Sequence, residues 1–203
     1  MRALLLRLGV SEKGVTAVEF AFVAPPFLAL IMGACDVGHT LYMQAVLSGV
    51  TQKAARDSSL ASGTETAKQA QIEAHIRDEI HTLNRSIPDS DIVISRDAYQ
   101  NFTKAQAAQP EDVSGDGVCS PGENWVDRNF NNVYDKKGGS SGQGGAKDVV
   151  VFSVSVSYPR LFPVTKLIGM PGTVSLNSTA VLANQPYSDQ VVASGALTER
   201  PCA

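Results

Sequence analysis

VTAVEFAFVAPPFLALIMGAC, residues 15–35, decides how this chain is organised, because it holds a single charge, Glu19, in an otherwise apolar run. As a helix, a run of that length covers about 31 Å, the thickness of a bilayer's hydrocarbon core. Arg2, Arg7 and Lys13 stand before it against Glu12, and Asp36 follows it with no lysine or arginine until Lys53. Basic flanks stay in the cytoplasm, so the pattern predicts one span over 15–36, with the N-terminus inside and everything later outside. Two residues disturb the span. Pro26 lacks an amide donor and biases Pro25 away from helical angles, which predicts a kink or interruption. Glu19 costs about 2.5–3.5 kcal/mol in lipid on insertion scales unless it snorkels, protonates or meets a cation.

Beyond the span the pattern stays helical. Met43, Leu47, Val50, Ala54 and Ala61 share one face, so the first helix is expected to extend over 37–62, with Ser62-Gly63 ending it. Gly38, Ala45, Ser48, Gly49 and Ala55 are small enough for close helix approach. Thr66 to Arg85 reads as a second helix with an Ile72, Ile76, Ile80 and Leu83 stripe. His75, Glu79 and His81 lie on it without zinc-ligand spacing and read as solvated or capping groups. Ile92-Val93-Ile94 reads as a short strand. Val149 to Tyr158 alternates valines and Phe152 with serines, and Thr173 to Leu182 is a third strand candidate. A short helix or loop is expected around Leu161–Ile168. Helices first and strands afterwards indicate an α+β domain over 63–203.

The whole chain of 203 residues is 43% hydrophobic and 18% charged, with 17 basic and 20 acidic side chains and three cysteines. Its formal net charge of −3 argues against a nucleic-acid partner. Three cysteines rule out a dense disulfide scaffold, and no C-x-x-C or His/Cys cluster suggests structural zinc. No G-x-S-x-G elbow, P-loop or dinucleotide fingerprint supports an enzyme.

The densest chemistry lies in an insertion over 104–147. From Pro110 to Asp135 run six acids (Glu111, Asp112, Asp116, Glu123, Asp127, Asp135) and one base, Arg128. Asp112, Ser114 and Asp116 supply oxygens at positions 1, 3 and 5 of a twelve-residue loop. Gly117 occupies position 6, the Val118 carbonyl position 7 and Glu123 position 12, which is the spacing of an EF-hand calcium loop. Pro121-Gly122 opposes the helix that normally follows, so the expectation is a calcium-binding loop and not an EF-hand domain. Asp127, Asn129, Asn131, Val133 and Asp135 repeat the odd-position donors, with Asn132 available for the left-handed turn, but position 12 is Gly138. The alternative is a solvated acidic loop. Gly138 to Gly145 reads as a flexible linker by composition. Cys119 and Cys202 both fall outside the membrane, where a disulfide between them is permitted but not required. Cys35 reads as a small apolar filler in the span.

Gly14-Val15-Thr16-Ala17-Val18-Glu19-Phe20 resembles a type IV prepilin processing site: a glycine before the cut and a glutamate five residues into the mature chain. Val18-Glu19-Phe20-Ala21 with Val23-Ala24-Pro25, and then Gly38 and Leu41-Tyr42, resemble the opening of TadE-like proteins of the tight-adherence (Flp) pilus system, over roughly residues 11–60. The resemblance implies a leader at 1–14, removed between Gly14 and Val15 by a prepilin peptidase in the bacterial inner membrane. The new amine at Val15 would supply a cation for Glu19, commonly on a neighbouring subunit. It implies a pilin-like fold and a non-enzymatic role as a minor pilin or pseudopilin, partnered by other pilins and the pilus assembly platform. Met32-Gly33-Ala34-Cys35 faintly resembles a lipobox, which would instead make Cys35 a lipidated first residue. Position 32 lacks the leucine, however, and Glu19 and the proline pair break the apolar region. A different functional class stays open, namely a membrane-anchored, calcium-dependent binding or adhesion module that never joins a filament.

Overall fold

The computed structural model describes residues 14–60, 66–107, 110–162, 169, 171–185, 190 and 194–202. Residues 1–13 of the expected leader, the Ser62-Gly63 helix stop and most of the Leu161–Ile168 segment lie outside them. The fold is α+β: a long apolar helix, a second helix and small antiparallel sheets.

Helix α1, Val15–Ser59, runs without interruption for 45 residues, through Pro25 and Pro26. The expected interruption is therefore not seen. A proline removes one amide donor and crowds one carbonyl, a local loss that a long apolar helix tolerates in lipid, where its other backbone groups have no alternative partners. An 18-residue window of α1 has a mean hydropathy of 1.9, and none of that window is buried. One N-terminal helix of this length and composition is compatible with a single-pass membrane protein.

Contacts divide the chain into two compact units. The first comprises the described residues of Met1–Tyr42 and Pro159–Val174. Within it Asp36 is buried and ion-paired to Arg160, at 2.6 Å from carboxylate to Nη1. The second unit, Met43–Tyr158 with Ser175–Ala203, holds the α/β core.

In that second unit, α2 (Thr66–Leu83) buries Ile72, Ile76 and Ile80. Strand β1 (Ile92–Tyr99), β3 (Ser140–Ser141), β4 (Val149–Pro159) and β5 (Thr173–Ala183) form a sheet in the order β3-β1-β4-β5. β1 pairs antiparallel with β4, Ile92 opposite Val156 and Tyr99 opposite Val149. Phe152, Val154 and Val156 are buried while the intervening serines are not, the alternation of a sheet with one dry and one wet face. On the wet face Ser153 bonds Thr179 and Ser157 bonds Ser175. On the dry face Met43, Leu47 and Val50 of α1 meet Ile80 and Leu83 of α2, Val156 of β4 and Leu176 of β5 around one small crevice.

Two segments differ from expectation. β1 spans eight residues instead of three, because its polar half finds partners: Arg96 pairs Glu73 at 2.6 Å and stacks over Phe152, and Asp97 pairs Lys137 at 2.8 Å. The Gly138–Gly145 segment is not a free linker. Ser140 and Ser141 pair with Ala98 and Asp97 as β3, and buried Gln143 is bonded to Asn184. Its glycines are there for closeness: a Cβ on Gly139 would sit 2.6 Å from the Tyr99 ring, and one on Gly144 (φ +66°) 2.6 Å from the Ala98 Cβ.

Candidate functional site

The N-terminal candidates come first in the chain. Gly14 precedes the first turn of α1, Val15 opens the helix, and among the described residues nothing crowds a side chain at Gly14. Glu19 lies one turn in. It is exposed on the helix and makes no ion pair among the described residues. Phe20, Phe22, Val23, Phe27 and Leu30 around it are also exposed.

The acidic insertion is built differently, as a closed and cross-braced loop. Short α3 (Phe102–Gln106) leads into it, capped by the Asn101 side chain accepting the Lys104 amide. Strand β2 (Asn124–Val126) pairs antiparallel with β6 (Glu199–Pro201), Trp125 opposite Arg200. On its other side Asp112 bridges Trp125, and the Val113 amide donates to the Asn124 carbonyl. Cys119 and Cys202 are joined in a disulfide with their Cα atoms 5.4 Å apart, and the Cys202 amide donates to the Glu123 carbonyl. The C-terminal tail is thus stitched to the first loop by a covalent bond and a strand.

Each half of the insertion curls around its first carboxylate. Asp112 Oδ2 accepts the Gly117 amide at 3.1 Å and the Ser114 hydroxyl at 3.0 Å, and Oδ1 accepts the Tyr134 hydroxyl at 3.0 Å. Burial by itself raises the Asp112 carboxyl, but these bonds outweigh it and hold it down at about 2. Burial and then the bond to Asp112 push the Tyr134 phenol up to about 12. Asp127 accepts the Asn131 and Asn132 amides. The two sixth-position residues are both left-handed, Gly117 at φ +77° and Asn132 at φ +64°. The Asn129 and Asn131 side chains each approach Asp135 Oδ2 to 2.7 Å, so positions 3, 5 and 9 of the second loop converge. Asp116 accepts the Val118 amide, and the Asn131 side-chain oxygen accepts that of Val133. Glu123 instead accepts the Ser120 amide at 3.1 Å. Among the described residues no group of three or more His, Cys, Asp or Glu side chains gathers at one point.

The residue that sequence reasoning missed is Glu111. It is fully buried, its carboxylate accepts the Arg128 and Asp135 amides at 2.9 and 2.8 Å, and its own backbone bonds Val126 and Asp135. Burial raises its carboxyl above the ordinary range against the pull of those amides, and Asp135 and Asp127 add to the rise. Glu111 therefore staples the second loop to β2. Its neighbour Asp112 carried the motif, so Glu111 read only as one more charge. Arg200 covers the Trp125 ring at 5.6 Å, bonds the Asn132 side chain and stands 3.8 Å from Asp127.

The exposed apolar start of α1, marked by Glu19, is also where the chain resembles a known family. Residues 14–56 match the TadE-like protein family. The TadE-like match covers about one fifth of the chain and coincides with most of α1. It is consistent with a protein of the tight-adherence pilus system, a pilus-associated structural family and not one known for enzymes, and implies interaction with other pilus components. No curated protein and no solved structure matches the chain.

Proposed function

We propose that this chain is a minor pilin or pseudopilin of a tight-adherence type IV pilus or a related secretion system. The observation that supports it is the TadE-like match over a helix whose first part is apolar, exposed and marked by one exposed glutamate. On this reading prepilin peptidase cuts between Gly14 and Val15 in the bacterial inner membrane. Residues 15–36 hold the protein there, N-terminus inward and α/β domain in the periplasm. The Val15 amine is protonated in water and costly to leave unpaired in lipid, and Glu19 on a neighbouring subunit neutralises it. Helix packing among pilins and the assembly platform then follows, with Glu19 registering each neighbour.

The acidic insertion is proposed to hold calcium, which stabilises the outer domain. Its donors are the hard oxygens the ion prefers. Asp112, Ser114, Asp116, the Val118 carbonyl and Glu123 would serve one ion; Asp127, Asn129, Asn131, the Val133 carbonyl and Asp135 would serve a second. The left-handed turns at Gly117 and Asn132 and the convergence on Asp135 fit this use. Bound calcium would supply charge neutralisation to a window that carries a net −5.

N-terminal sequencing of the membrane-inserted protein tests the reading. A mature chain starting at Val15, and an uncut chain from Gly14→Ala, are the expected results. A mature chain starting at Cys35 would overturn it in favour of the lipoprotein. Unchanged piliation by Glu19→Ala, with surface binding lost, would favour the non-filament adhesion module.

A further inference from the structure

The same helix carries a feature that neither its apolar run nor its family match assigns. Asp36 is the first charge after the span, yet it is only 2% exposed. Its carboxylate takes Arg160 Nη1 at 2.6 Å and the Leu161 amide at 3.3 Å. Arg160 in turn is held by its amide on the Gly172 carbonyl and its Nε on the Pro171 carbonyl. The charge that should end the apolar segment is therefore neutralised and covered. Beyond it one face of the helix stays apolar: Val37 is 55% and Leu41 65% exposed, and Tyr42 is exposed beside them, while His39 and Thr40 are half-buried. Val23, Phe27, Leu30, Ala34, Val37 and Leu41 recur at alternating spacings of four and three, one seam that passes Asp36 on the opposite side of the helix. Leu161, tied directly to Asp36, is 50% exposed as well.

We propose that the membrane boundary lies at Tyr42 and not at Asp36, with the Asp36–Arg160 pair and Leu161 seated in the headgroup layer of the outer leaflet. This rests on the membrane reading above. From Val15 to Tyr42 there are 28 residues, about 42 Å of helix, which matches hydrocarbon and headgroup layers together, whereas 15–35 matches hydrocarbon alone. A tyrosine with an apolar ring and a polar tip belongs at that level. Arg160 neutralises the aspartate at a depth where an unpaired charge is costly. Arg160 and Leu161, just after β4, thereby become a second membrane contact, tied to the helix through Asp36.

The test uses the full chain with Cys35→Ala and one new cysteine at Leu161, Leu41 or Leu28, labelled with an NBD fluorophore. Each is reconstituted at high dilution in phosphatidylethanolamine/phosphatidylglycerol vesicles. The labels at 161 and 41 are expected to be quenched by headgroup nitroxide lipids, and the label at 28 by acyl-chain nitroxides. Asp36→Asn with the label at 161 is expected to lose its headgroup quenching. Aqueous iodide quenching at 161 and 41, with the label at 28 still quenched by lipid, would overturn the boundary while leaving the span intact. Labels at 161 and 41 that are shielded from both quenchers would also overturn it, in favour of a covering protein helix. An unquenched label at 28 would overturn the membrane reading itself.

Discussion

Removing the Cys119–Cys202 disulfide should cost about a third or more of this domain's stability margin. The two cysteines are 83 residues apart, so the bond closes a loop that embraces all five strands from β2 to β6. Loop-closure entropy for that length is about 4.5 kcal/mol at 25 °C, near the upper end of what native disulfides contribute. The comparison that matters is with a whole domain's stability of about 5–15 kcal/mol. Non-covalent ties remain when the bond is lost: three β2–β6 residue pairs, the Cys202 amide on Glu123, and Arg200 over Trp125. They hold the folded geometry but do nothing to restrict the unfolded chain, so they do not replace the entropic term. Trp125, the single tryptophan, is buried beside this junction and reports on it directly. Urea unfolding of detergent-solubilised full chain, followed by Trp125 emission, should show the Cys119→Ser/Cys202→Ser double variant unfolding at a midpoint lower by about 2 M, taking a urea slope of about 2 kcal/mol per M. Native protein reduced with dithiothreitol should match the variant. A midpoint difference below about 0.3 M, with unchanged slope, would refute the reasoning.

Millimolar calcium should stabilise the domain by about 2.7 kcal/mol when free ion reaches a hundred times its dissociation constant, raising the same Trp125 midpoint by about 1.3 M urea; no heat in calorimetric titration and no shift would remove the calcium claim. Asp127→Ala together with Asp135→Ala should abolish the shift from the second loop, read by the drop in calorimetric stoichiometry. Gly144→Ala should destabilise by about 2 kcal/mol or more, since it adds a left-handed strain to a Cβ placed 2.6 Å from Ala98; an unaltered urea midpoint would contradict the packing of β3. Glu19→Gln should still insert in the membrane yet co-purify less with pilus fibres, because a neutral amide inserts readily but no longer neutralises an amine; equal recovery in the fibres would count against a registering role.

Periodicity made the helices and long strands legible. The Ile72, Ile76 and Ile80 stripe and the alternation about Phe152 each needed one buried face, and a period is all that one buried face requires. Ser95, Arg96 and Asp97 hid the second half of β1, because their partners, Glu73, Phe152 and Lys137, come from other elements. The pairing of Gly138–Gly145 is hidden in the sequence for the complementary reason. Glycine composition signals freedom, whereas here it signals the close approach of Tyr99 and Ala98. In the acidic insertion the motif residues were visible from their spacing, but Glu111 was not, since its partners are backbone amides, which every sequence supplies and none advertises.

What the sequence by itself determined is the long apolar helix, its lone glutamate, the TadE-like opening and the α+β order. Each follows from local chemistry: hydropathy, charge and spacing along one element. Only the tertiary structure decided that Asp36 is covered by Arg160, that Glu111 staples the acidic loops, and that the C-terminal tail closes against β2. Those contacts join residues far apart in the chain, and whether a charge is exposed or neutralised depends on what the fold brings to it.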